Sequence, residues 1–154
     1  MRNIRLALAV LFVAAALVLI AYPVFADAVY HAEHLALTPA SGFPLRSGFV
    51  ENIHVNGPIV YAHENYVLNG ALPYATFDVY LFVYADPACT IGPVAWYPTA
   101  SVSTNVAGNG QAQAVMPPES IPPELQGATI GGRWEVRLGT TVAYATQCTT
   151  IVLD

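Results

Sequence analysis

From Ala75 to Ala85 the chain alternates with a period of two: Phe77, Val79, Leu81 and Val83 fall in one phase, and Asp78, Tyr80, Phe82 and Tyr84 in the other. An extended strand places those two sets on opposite faces, so the segment predicts a β-strand with one face in a core. Arg133–Leu138 repeats the pattern, with Trp134, Val136 and Leu138 in one phase and Arg133, Glu135 and Arg137 in the other. After Tyr22 no stretch sustains a helical period. Short runs rich in Val, Tyr, Phe and Thr are instead punctuated by Gly, Pro and Asn, as in sandwiches and barrels. Further strands are predicted over 47–55, 59–68, 100–105, 111–115 and 142–153. Turns are predicted at Asn56-Gly57-Pro58, Val106–Gly110 and Gly139-Thr140-Thr141, Asn-Gly being a strong tight-turn signal. About seven strands at this spacing predict an all-β fold, an immunoglobulin-like antiparallel β-sandwich.

A helical signal segment is expected ahead of it. Arg2 and Arg5 form a basic head, Leu6 to Ala21 an apolar core, and Val24-Phe25-Ala26 a small-residue exit behind Pro23. Those are the parts of a secretory signal. The apolar run also approaches the roughly 17–25 residues that span a bilayer, so an uncleaved anchor is the alternative. The expected organisation is a signal or anchor over 1–26, an N-terminal extension over 27–46 and the sandwich over 47–154, in a secreted or surface-anchored protein. A membrane partner is expected only if the segment stays uncleaved.

Past residue 26 the chain carries three arginines, no lysine and all ten of its acids, a net charge of −7. Nucleic-acid binding needs a basic footprint, which this chain lacks. Cys89 and Cys148 are the two cysteines of the chain, and in an oxidising compartment an even count reads as one disulfide. Pro117-Pro118-Glu119 recurs as Pro122-Pro123-Glu124, and paired prolines predict a stiff extended crossing between sheets.

The run Gly70-Ala71-Leu72-Pro73-Tyr74-Ala75-Thr76-Phe77-Asp78-Val79 is similar to the turn-into-strand of fibronectin type III and related sandwich domains. Phe77 stands where that family usually has a tyrosine, whose hydroxyl bonds back to the turn. The resemblance therefore implies core packing at Phe77 without the corner hydrogen bond. The wider arrangement resembles secreted bacterial immunoglobulin-like sandwich proteins. It runs from Ile53-His54 through Tyr61-Ala62-His63-Glu64, Asn69-Gly70-Ala71 and Gly108-Asn109-Gly110 to Cys148 and Leu153-Asp154. That likeness implies an exported β-domain and no activity. Ile53-His54-Val55-Asn56-Gly57 is also faintly similar to the histidine-glycine segment of chordin-type domains.

No nucleophile elbow or other covalent-catalysis motif occurs, so the expectation is a non-enzymatic binding or assembly domain without a cofactor. Its contact surface is expected on Tyr80, Phe82, Tyr84 and Trp96, since three aromatics on an outer strand face need cover or a partner, protein or glycan. The alternative is a zinc or copper site from His31, His34, His54 and His63, with Glu33, Glu51 and Glu64 nearby in sequence. Glu51 and Glu64 could also form a glycosidase-like carboxylate pair if their strands are adjacent. Cleavage after Ala28 rather than Ala26 would expose Val29-Tyr30-His31, a third-position histidine suited to Cu(II) or Ni(II). Intact-mass measurement of the exported protein is expected to show Asp27 as its first residue. A start at Val29 would create the copper-type terminus, and an unprocessed mass would indicate the anchor.

Overall fold

The computed structural model describes residues 31–54, 62–120, 123–125 and 127–153. The signal segment, the two cleavage points and the turn at Asn56-Gly57-Pro58 lie outside the described residues. The described chain is all-β, with ten strands in two antiparallel sheets: β1 (His31–Ala36), β2 (Thr38–Pro39), β3 (Ser47–His54), β4 (Ala62–Asn69), β5 (Thr76–Tyr84), β6 (Pro93–Ser103), β7 (Gly110–Met116), β8 (Thr129–Leu138), β9 (Thr141–Ala145) and β10 (Thr149–Val152). One sheet has the order β1-β3-β4-β7, the other β2-β9-β8-β5-β6, with β10 pairing farther along β8.

The two alternating segments lie side by side at the centre of the larger sheet. Val79 is paired with Val136 and Leu81 with Trp134, and the inward phase Phe77, Val79, Leu81 and Val83 is buried as expected. Val50, Tyr66 and Leu68 from the smaller sheet complete the same core. Burying one such side chain contributes roughly 1.5–3 kcal/mol, so this shared face holds the two sheets together.

Several segments differ from the sequence expectation. Residues 31–46, expected within an extension, supply β1 to one sheet and β2 to the other. The chain changes sheet at Leu37, which is buried and donates its N–H to Gly48 O at 2.9 Å. The single closing strand expected over 142–153 is two strands, β9 and β10, both paired to β8. Between them Thr146 N donates to Trp134 O, and Trp134 N donates back to Thr146 Oγ1, both at 3.0 Å. That break turns Cys148 away toward Cys89. The described prolines after β7 form two short 3-10 turns, Pro118–Ser120 and Pro123–Leu125, rather than an extended crossing. A proline φ near −65° suits the start of a helical turn as well as polyproline geometry, and Leu125 gains core contact there. At the turn Leu72–Ala75, Thr104 ties the backbone together through its hydroxyl. Its Oγ1 donates to Leu72 O at 2.6 Å and accepts from Ala75 N at 3.0 Å.

Cys89 and Cys148 form a disulfide across a sequence separation of 59 residues. It ties the β5–β6 loop to the β9–β10 break, and Gly131 permits the approach: a Cβ there would overlap the Asp86 carbonyl and Cys89 Sγ. By chain entropy a loop of this length stabilises the fold by about 4 kcal/mol. A Cys89→Ala/Cys148→Ala variant is expected to lose that much in urea denaturation. Unchanged stability would mean that the covalent link constrains little in the unfolded chain.

Candidate functional site

The inward face of the smaller sheet carries a polar row. Strand register aligns Glu33 on β1, Asn52 on β3, Glu64 on β4 and Ala114 on β7. The next row, Leu35–Val50–Tyr66–Ala112, follows the same alternation. Asn52 and Glu64 are each only 1% exposed. Buried polar groups are nearly always hydrogen-bonded, and an unsatisfied one costs about 1–3 kcal/mol.

The bonding of this row is incomplete. The Tyr66 hydroxyl donates to Glu64 and is also hydrogen-bonded to Thr99 Oγ1 at 2.6 Å. One end of the Asn52 amide, Nδ2, lies 2.8 Å from His54 Nε2, while Oδ1 is buried without a partner. Trp134 enters from the opposite sheet, fully buried. Its Nε1 lies close enough to Glu64 to favour the charged carboxylate, yet it has no acceptor within hydrogen-bond geometry. Glu33, at the end of the row, accepts from Thr149 Oγ1 at 2.8 Å and so links β1 to β10.

Asn52, His54, Glu64 and Trp134 border a cavity of about 270 Å³ between the sheets. Its walls are apolar, with Leu81, Val83, Ile130, Ile151 and Met116 facing Glu64, Asn52 and Trp134. Gly132 leaves the room that Ile151 fills, since a Cβ there would overlap the Ile151 side chain. Val94, Tyr97, Val115 and Ser120 are lining residues that are also exposed, so the cavity meets the surface along the β6–β7 edge. No lysine or arginine is among the described residues that line it. Arg133 and Arg137 instead flank Glu135 on the outer face of β8. Burial pushes the Glu64 carboxyl up to about 7, and the Trp134 N–H opposes this only in part.

The described side chains of His34, His54 and His63 do not converge. Strand alternation puts His54 on the inner face of the smaller sheet and His63 on the outer one, exposed and paired with Ile53. His34 is also outward, paired with Glu51, and its ring stacks on Phe49 at 4.2 Å. The backbone of His31 pairs with that of His54. Among the described residues no group of three or more His, Cys, Asp or Glu side chains could hold a metal ion. Alternation also separates Glu51 from Glu64. Glu51 faces outward and accepts from Asn65 Nδ2 at 2.9 Å, so the two carboxylates do not face each other.

The aromatic surface forms in part. Trp96 is 60% exposed and meets Tyr80 edge-on at 5.7 Å, while the Arg137 guanidinium lies 5.7 Å from the Tyr80 ring and 5.1 Å from Phe82. Tyr84 does not belong to that open surface. It keeps the outward phase opposite Gly131, but the disulfide-bearing loop folds over it and leaves it 8% exposed. Asn52 and Trp134 were not legible as site residues. Their signal is faint: a polar residue sharing phase with Val50, and an indole whose N–H needs an acceptor.

No protein-family model, curated protein or solved structure matches the chain.

In the unfolded chain Glu64 titrates near its ordinary 4.5, and in the fold near 7. Between those values the native state holds the extra proton, so stability falls as pH rises through this window, by about 3 kcal/mol, and levels off above it. Glu64→Gln keeps an acceptor for Tyr66 and is expected to remove the slope, leaving the variant more stable than the parent at pH 8. Urea denaturation at pH 5 and pH 8 measures both. A parent equally stable at the two values would contradict the buried carboxyl.

Proposed function

We propose that this chain is an exported, non-catalytic binding domain that takes a small, mainly apolar molecule into the gap between its sheets. The observation that carries this reading is the coincidence of three things at one place. There is unfilled apolar volume, there are two buried polar atoms without partners, Asn52 Oδ1 and Trp134 Nε1, and there is an edge that reaches solvent. Small-molecule sites are typically apolar concavities with a few convergent polar groups. A well-packed core has few voids larger than a water molecule, and a ~150 Å³ apolar cavity already admits benzene. The disulfide suits an oxidising compartment, which agrees with the signal-type sequence at the start of the chain.

An immunoglobulin-like sandwich is the fold we infer. Its support is the interlocked pairing of β4 with β7 in one sheet and β5 with β8 in the other, as strands B–E and C–F pair in that fold. A second reading, contact with a glycan or protein through the outer face, rests on the exposed Trp96 beside Tyr80. There, however, Arg137 already lies over Tyr80 and Phe82.

Eight-carbon chains test the cavity. Calorimetric titration is expected to show one site for such a compound, and Ala114→Phe, which places a ring beside Glu64, is expected to weaken binding at least tenfold while the fold persists. Equal binding by parent and variant, or no binding of any eight-carbon chain, would overturn the reading.

A further inference from the structure

The polar groups of the cavity are chosen by sign. Glu64 is a buried carboxyl with no lysine or arginine among the described residues around it, in a chain that has no lysine at all. Asn52 presents its unpartnered carbonyl oxygen beside it, one strand away in the same row. Both groups accept hydrogen bonds, and neither has a lysine or arginine donor among the described residues that line the cavity. An ammonium group carries three donors, needs no donor from the protein, and supplies the missing positive charge. A carboxylate ligand would meet the opposite situation: two acceptors, one of them ionisable to the same sign, and no lysine or arginine among the described lining residues to pair with.

We propose that the cavity is selective for a lipophilic primary amine, its ammonium against Glu64 and Asn52 Oδ1 and its apolar body along Leu81, Val83 and Ile151. The proposal rests on the cavity reading above and names the ligand class for that site. In the complex Glu64 is ionised and accepts from the ammonium, from the Tyr66 hydroxyl, and from Trp134 Nε1, which otherwise has no acceptor. By proportion to the ~150 Å³ cavity that holds the six carbons of benzene, 270 Å³ accommodates a body of about eleven heavy atoms. The acidic surface of the chain favours the approach of such a cation over an anion.

The titratable groups around the ammonium position are few among the described residues. They are Tyr66 on the same strand as Glu64, His54 on β3, Glu33 beyond Asn52 on β1, and Tyr97 on β6. The cavity-lining residues of β5, β7, β8 and β10 contribute no ionisable side chain. Amine binding to the ionised form must release the Glu64 proton below its raised pKa, so affinity for the amine falls about tenfold for each pH unit below roughly 7. Protonated His54 would repel the amine in the same direction, and Glu64→Gln separates the two contributions.

The test compares 1-octylamine, 1-octanol and octanoate on the parent protein by calorimetry at pH 8 and pH 5.5, and repeats it on Glu64→Gln. Expected is an amine affinity at least tenfold above that of the alcohol at pH 8, a preference that collapses at pH 5.5 and is absent in Glu64→Gln, with octanoate weakest throughout. The parent's pH comparison alone carries the result if the variant does not fold. Octanol binding as tightly as octylamine at pH 8, or octanoate binding best, would overturn the amine assignment and leave the cavity reading intact. Binding of none of the three would overturn both. An octylamine preference that persists in a folded Glu64→Gln would also overturn the assignment, because the charge would then be recognised elsewhere.

Discussion

The pairing of β5 with β8 is the contact from which the rest of this domain is built. Val79 beside Val136 and Leu81 beside Trp134 form the middle of the larger sheet. On the sides away from that pair, β6 attaches to β5, and β9 and β10 attach to β8. Their inward side chains meet Val50, Tyr66 and Leu68 of the smaller sheet, so one apolar surface serves both layers. The disulfide acts at the margin of this arrangement. It fastens the loop after β5 to the break between β9 and β10, and in doing so covers the end of the strand at Tyr84.

Against that closely packed centre, the other end of the interior is built differently. Where Val50 and Tyr66 fill space in one row of the smaller sheet, the next row brings Asn52 and Glu64 with Ala114 beside them. Alanine in place of a larger residue leaves volume, and the polar pair gives that volume a chemical character. Trp134 belongs to both regions: its ring is part of the core and its N–H points to unfinished bonding. A fold selected for stability alone would place leucine at such positions, since an isolated buried carboxyl weakens the native state. Buried carboxyls with perturbed titration cluster at functional sites.

The outer face of the larger sheet shows how alternation and loops divide the work. Tyr80 and Phe82 were readable as outward, and so were Arg133, Glu135 and Arg137, because period-two patterning needs no tertiary information. That Arg137 lies over the two rings, and that Glu135 sits between two arginines, depends on the register of β5 against β8. Tyr84 shares the phase of Phe82 yet is covered, because Gly131 lets a loop distant in sequence close over it. The same limit applied to the histidines. Their proximity in sequence suggested a shared site, and strand alternation distributes His34, His54 and His63 over two faces.

The amino-acid sequence by itself determined the β character, the inward phases of β5 and β8, and the pairing of the two cysteines. Each follows from local periodicity or from a count that leaves one combination. Tertiary structure alone decided that residues 31–39 join both sheets, that the last strand breaks at Thr146, and that Asn52, Glu64 and Trp134 surround one cavity. Those outcomes depend on which strands become neighbours and in what register. A register brings together residues as far apart in the chain as Asn52 and Trp134, and no local pattern records that separation.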